Sequence, residues 1–134
     1  MTAIGIDTNV LLRMVFNDDP MQRSAALAFG KKISKANPGF VSLIVLVELN
    51  WSLRSRYRQP KQVVLQTVRD LLHTRGLVFE SFDTVVRALE VAEKSKAEFA
   101  DAIIAERNLE LGCSHTVTFD RDASDAIPSM ELLA

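Results

Sequence analysis

The chain has 134 residues, 48% of them hydrophobic and 25% charged, with a net charge of -1. Those totals exclude a disordered chain and fit one domain long enough to bury a core. They also exclude a global positive field, so any nucleic acid must be held by a local patch or by bound cations.

The single cysteine, Cys113, excludes an internal disulfide framework. The densest apolar run, "LIVLV", is followed by Glu48, far short of the roughly 18 residues that a membrane span needs. The opening "MTAIGIDTN" lacks the basic and long apolar regions of a signal peptide. A cytoplasmic protein without a membrane partner is the expectation.

In chain order, residues 3–6 read as a short strand and residues 8–16 as the helix after it. "NDDP" is a start signal, with Pro20 at a first helical position, and that helix runs to about residue 36, ending in Lys31, Lys32 and Lys35. "NPG" is a turn. The next segment, "FVSLIVLVELNW", is apolar enough for a buried strand but long for one, and periodicity cannot decide it. The residues favour a strand through Val41, then a buried helix from near Ser42 carrying Glu48.

Gln59-Pro60 opens a further helix with Val64, Val68, Leu71 and Leu72 at helical spacing. "LVFE" reads as a strand, and Asp83 as the cap of a helix through Lys94. Residues 99–111 form a helix closing at Gly112. "SHTVTF" is a strand and "MELL" a last one. Short strands alternating with helices predict an α/β fold with a mainly parallel sheet.

Four carboxylates stand in apolar company: Asp7 ends "AIGI", Glu48 lies between Val47 and Leu49, Asp101 lies inside "FADAIIA", and Asp120 ends "TVTF". Asp and Glu are seldom buried unless paired or metal-bound. Each also has a plainer reading. Asp7 caps a helix, Asp120 is a turn residue, Asp101 is an N-cap or one polar position of an amphipathic helix, and Glu48 pairs with an arginine. In a parallel α/β sheet, strand C-termini and helix N-termini converge on one edge. Carboxylates gathered there repel one another unless cations sit between them, and hard divalent ions answer that need with oxygen ligands.

In order and spacing, "GIDTNVLLR", "LVELNW", "FADAIIA" and "TVTFDRDA" resemble the signature segments of PIN-domain ribonucleases. Length, the short first strand and the Glu-x-x-Trp element resemble most the VapC-type toxins of bacterial toxin–antitoxin pairs. The resemblance spans essentially the whole chain. It implies a single PIN domain over residues 1–134, a three-layer α/β/α sandwich with a mainly parallel central sheet of about 4–5 strands. It also implies endoribonuclease activity dependent on Mg²⁺ or Mn²⁺, with water attacking phosphorus in line.

Asp7, Glu48, Asp101 and Asp120 match the family's acidic quartet, which binds the metal, with Asp122 as an alternative fourth ligand. Thr8, Asn9 and Thr118 match its small polar residues, expected to act as donors that hold the carboxylates in place. The implied partners are RNA, a small cognate antitoxin that inserts a peptide near the site, and a second copy in a homodimer. The resemblance also settles the ambiguous segment as a helix bearing Glu48. One departure is Ala123, where the family's fourth segment often continues with an aromatic residue. Asp125 reads as a surface residue.

The remaining inventory is thinner. Cys113-x-His115 is too small for a zinc site by itself. "RSRYRQPK" gathers Arg54, Arg56, Arg58 and Lys61 around Tyr57, and Arg13 follows Asp7. These are candidate RNA contacts with a ring for stacking, or equally a solvated helix end. An aspartyl phosphatase wants a second Asp two residues after the first, where this chain has Asn9, and a receiver domain wants a late lysine absent from "TVTFDRDA". An RNA-processing nuclease without an antitoxin and a non-catalytic module on the same fold stay open as alternatives.

Overall fold

Residues 2–134 are described by a computed structural model of the chain, and they fall into two units that meet in sequence between Glu80 and Ser81. In the first unit three short strands pair in parallel in the order β1 (Ile4–Gly5), β2 (Gly39–Val41), β3 (Leu77–Phe79). Ile4 stands opposite Gly39, and Gly39 opposite Leu77. Parallel neighbours need crossovers. α1 (Thr8–Val15) and α2 (Pro20–Lys32) make the first crossover, and α3 (Leu43–Trp51) and α4 (Lys61–Leu72) the second.

Each helix starts where the local chemistry calls for it. Asp19 caps α2 by accepting the Gln22 N–H at 3.1 Å, with Pro20 at the first position. Ser42 caps α3 by accepting the Val45 N–H at 3.3 Å, so the ambiguous apolar segment is indeed a strand through Val41 and then a helix. α3 runs straight into a π-helical turn, Ser52–Arg56, that keeps Leu53 buried. Val64, Leu65, Val68 and Leu71 of α4 form the expected buried stripe.

Gly76, just before β3, has φ 87° and its carbonyl accepts the Gly39 N–H at 2.7 Å. A Cβ there would sit 3.1 Å from the backbone of Ile33. Gly76→Ala is expected to cost about 1–2 kcal/mol, because an L-residue is strained in this region. Urea unfolding reads the cost as a lower midpoint; an unchanged midpoint would show that the turn relaxes freely.

The second unit begins with α5 (Phe82–Lys94) and α6 (Phe99–Glu110), which pack together through buried Val85, Ala88, Leu89 and Ala92 on one helix and Phe99, Ala100 and Ile103 on the other. The buried Thr84 hydroxyl donates to Glu110, and Arg87 Nε donates to Glu106 at 3.1 Å. β4 (Thr116–Thr118) and β5 (Met130–Leu132) pair in parallel, with α7 (Arg121–Ala126) as their crossover. The fold is therefore of the expected mixed α/β class, its parallel strands hydrogen-bonded in sheets of three and two.

Three local expectations are corrected. α2 stops at Lys32, and Lys35 lies in a turn closed by Ser34 and Asn37 before Pro38. The α5 cap is Ser81, in the left-handed region at φ 52°, with Asp83 in the first turn instead. The residues after Asp120 form a helix and not a bare turn; at six residues α7 is too short for its periodicity to be read. Among the described residues no helix is long and apolar enough to cross a membrane.

Candidate active site

Asp7 ends the first strand segment and caps α1, its Oδ1 accepting the Thr8 N–H at 2.9 Å. Thr8 is buried, and its hydroxyl donates to Glu48 Oε1 at 2.8 Å. One residue therefore joins the two candidate site carboxylates of the first unit: its amide steadies Asp7 and its hydroxyl steadies Glu48. Glu48 sits on the outer face of α3 with Ile44 and Trp51, at spacings of four and three, while Leu46 and Leu49 turn inward.

Thr8→Val removes the hydroxyl at nearly constant volume. It is expected to cost about 1 kcal/mol, at the low end for a hydrogen bond to a charged group because Glu48 is exposed. Guanidinium unfolding of the purified variant measures it, and an unshifted midpoint would mean that the bond contributes nothing. Asn9 is exposed in the first turn of α1. Beside it runs an apolar cleft of about 400 Å³, lined by Ile4, Ile6, Val10 and Phe29, with Arg13 and Gln22.

In the second unit Asp101 lies in the first turn of α6, half-buried between Ala100 and Ala102. Burial, and then the negative charges of Asp120 and Glu98, push its carboxyl up from the ordinary 3.8 to about 6. Asp120 caps α7, its Oδ1 accepting the Ala123 N–H at 3.0 Å. The Asp120 N–H donates in turn to Thr118 Oγ1 at 3.0 Å. Thr118 thus positions the backbone of Asp120 as an acceptor, where a donor to the carboxylate had been expected. Ala123, at the family's usual aromatic position, is buried and supplies the amide that holds Asp120.

The structure brings Asp101 and Asp120 together, and it is Asp120, not Asp122, whose charge reaches Asp101. Asp122 is an exposed acid in the first turn of α7. Glu98 was missed; the signal was the spacing of three in "EFAD", which stacks two acids at a helix start. The expectation that all four carboxylates are buried is corrected, since Asp7, Glu48 and Asp120 are exposed and only Asp101 is half-buried. Asp7 and Asp120 had apolar neighbours because strand ends adjoin the core without lying inside it, and Glu48 because it sits on the outward face of an otherwise apolar helix.

The basic candidates divide. Arg13 Nε donates to Gln22 at 2.7 Å, and its Nη1 donates to the Tyr57 hydroxyl at 3.2 Å and lies 3.5 Å from Asp18. The Tyr57 hydroxyl donates to Asp18 at 2.7 Å; that bond first, and the Arg13 and Arg56 charges after it, holds Asp18 below its ordinary value. The Tyr57 ring stacks on Phe16 with centroids 4.7 Å apart, and the Arg56 guanidinium lies 5.4 Å from the ring centre. Tyr57 therefore has partners where a base had been expected. Arg54 donates to the Gln59 carbonyl at 3.0 Å. Lys61 opens α4, and Arg58 is exposed at φ 52°.

Residues 4–127 match the family model of the PIN domain. The chain belongs to the PIN domain family. No curated protein matches its sequence. PIN domains are a nuclease fold that commonly uses divalent metal ions and acts on RNA. The residues of this PIN domain fit such an ion by their chemistry: the candidate ligands are all carboxylates, and Asp120 and Glu98 bring negative charge to Asp101 that a cation would balance. Within neither unit do three or more His, Cys, Asp or Glu among the described residues converge as a metal-holding group. Mg²⁺ is an ion that needs only one or two protein carboxylates, with waters completing its shell.

Proposed function

We propose that this PIN domain is a Mg²⁺- or Mn²⁺-dependent endoribonuclease and the toxin of a toxin–antitoxin pair. The observation that carries the reading is Asp101 standing half-buried beside Asp120: burial first, and then the Asp120 charge, push the Asp101 carboxyl up to about 6. In this reading Asp7, Glu48, Asp101 and Asp120 are the metal ligands and catalytic residues. A cation held by these residues would supply an activated water and charge compensation at the phosphodiester.

The chain's own residues do the positioning. Thr8 holds Asp7 by its amide and Glu48 by its hydroxyl. Thr118 and the Ala123 amide hold Asp120 from two sides. Asp101 stands half-buried in the first turn of α6. The exposed arginines Arg56 and Arg58 are open to a phosphate backbone.

The toxin assignment, a small antitoxin, a homodimer and a cytoplasmic setting follow from the resemblance of the four segments. The apolar cleft beside Asn9 suits the side chains of an antitoxin segment. Incubation with a mixed RNA pool and with single-stranded DNA of the same sequences, each with Mn²⁺, tests the substrate class. Internal cleavage of RNA with DNA spared is expected; DNA cut as fast as RNA would overturn the assignment. A short open reading frame directly upstream separates a toxin from an RNA-processing nuclease.

A further inference from the structure

Immediately before Asp120 stands Phe119, at 76% exposure the most exposed aromatic side chain among the described residues. Val117, two residues earlier on β4, is 51% exposed. The two are mounted on a rigid step. The Leu133 N–H donates to the Thr118 carbonyl at 2.9 Å and the Asp120 N–H to the Thr118 hydroxyl at 3.0 Å. Asp120 is held onward by the Ala123 amide. A large ring kept in water on a fixed backbone, next to a candidate catalytic carboxylate, gains nothing for the fold.

We infer that Phe119 is the platform on which an unpaired nucleobase next to the scissile phosphate stacks. This rests on the ribonuclease reading above. Adjacent Cα atoms lie about 3.8 Å apart, so the Phe119 ring is within one nucleotide's reach of a phosphate held at Asp120, and an uncharged π-face suits a base and not a phosphate. Every base has a π-face, so the platform is tolerant of sequence. It is intolerant of structure, because a paired and stacked base cannot offer that face. Arg121, exposed on the other side of Asp120, is the cation nearest in sequence for a flanking phosphate.

The test uses the full chain carrying Asp101→Asn, which stops cleavage, and a short fluorescein-labelled single-stranded RNA with its annealed duplex, read by anisotropy. Stacking on an aromatic ring is worth about 1–3 kcal/mol per base, so adding Phe119→Ala or Phe119→Leu should weaken single-strand binding about 5- to 100-fold. Phe119→Trp should restore it, and the duplex should bind weakly to all four proteins. The exposed position lets each variant fold, which circular dichroism confirms.

Single-strand binding indifferent to alanine and leucine overturns the inference. So does a shift in oligomeric mass on Phe119→Ala with RNA affinity unchanged, which would assign the ring to a protein interface. If the Asp101→Asn parent binds no RNA and the wild type cuts none, the ribonuclease reading falls and takes this inference with it. Binding by the parent that ignores Phe119 removes the inference alone.

Discussion

Asp101→Asn is expected to make the metal-free protein more stable while removing its nuclease activity. The folded chain holds the Asp101 proton up to about pH 6, whereas the unfolded chain releases it near the ordinary 3.8. This group's contribution to stability is therefore complete below about pH 4. It falls as pH rises through 6, where the folded carboxyl must ionise against Asp120 and Glu98. A displacement of that size is worth up to about 3 kcal/mol, and about 1 kcal/mol remains after discounting for the solvent that reaches a half-buried carboxylate. Asparagine keeps the shape without the charge.

The gain should appear at pH 8 as a rise of about 4 °C in the thermal midpoint in EDTA, and vanish at pH 4. In the wild type, Mg²⁺ or Mn²⁺ should produce much of the same rise, and in the variant little of it. A variant less stable than wild type at pH 8 would contradict the electrostatic account of Asp101. A stable protein made inactive is the pattern expected of a residue retained for chemistry at the expense of the fold.

The largest effect on stability is expected at Phe99. It is fully buried at the first position of α6, two residues before Asp101. Phe99→Ala removes most of a large apolar side chain and leaves a cavity among Ala100, Ile103 and the apolar face of α5, at a cost of about 3–5 kcal/mol. Against a whole-domain stability of about 5–15 kcal/mol, that is enough to loosen the helix that carries Asp101. Urea unfolding should show the lower midpoint, with Phe99→Leu recovering most of it. A loss under about 1 kcal/mol would show that α6 is held by something other than this contact.

What could be read in advance followed from local chemistry. The break between β2 and α3 was legible because Ser42 is a capping residue, although α3 is apolar enough on nearly every side to defeat periodicity. The parallel strands were legible from their alternation with helices. The carboxylates were legible as chemistry but not as surroundings: Glu48 has apolar neighbours in sequence, yet α3 turns it outward beside Ile44 and Trp51.

The Arg13–Asp18–Tyr57 cluster was out of reach for a different reason. Tyr57 meets Asp18 across 39 positions and Arg13 across 44, and no short-range pattern marks such a meeting. Arginines gathered in sequence look like a nucleic-acid surface, and only the fold shows that Arg13 and Arg54 are committed to holding turns in place. Which of Asp120 and Asp122 caps α7 and bears on Asp101 likewise had no short-range signal.

The most direct measurement is cleavage of a mixed RNA pool by wild type and Asp101→Asn, purified side by side, each with Mg²⁺ and with EDTA. The account predicts internal cleavage by the wild type in Mg²⁺, none in EDTA, recovery when Mg²⁺ is restored in excess, and at least about a 100-fold loss in the variant. Cleavage that survives EDTA, or that Asp101→Asn retains at the wild-type rate, would contradict it.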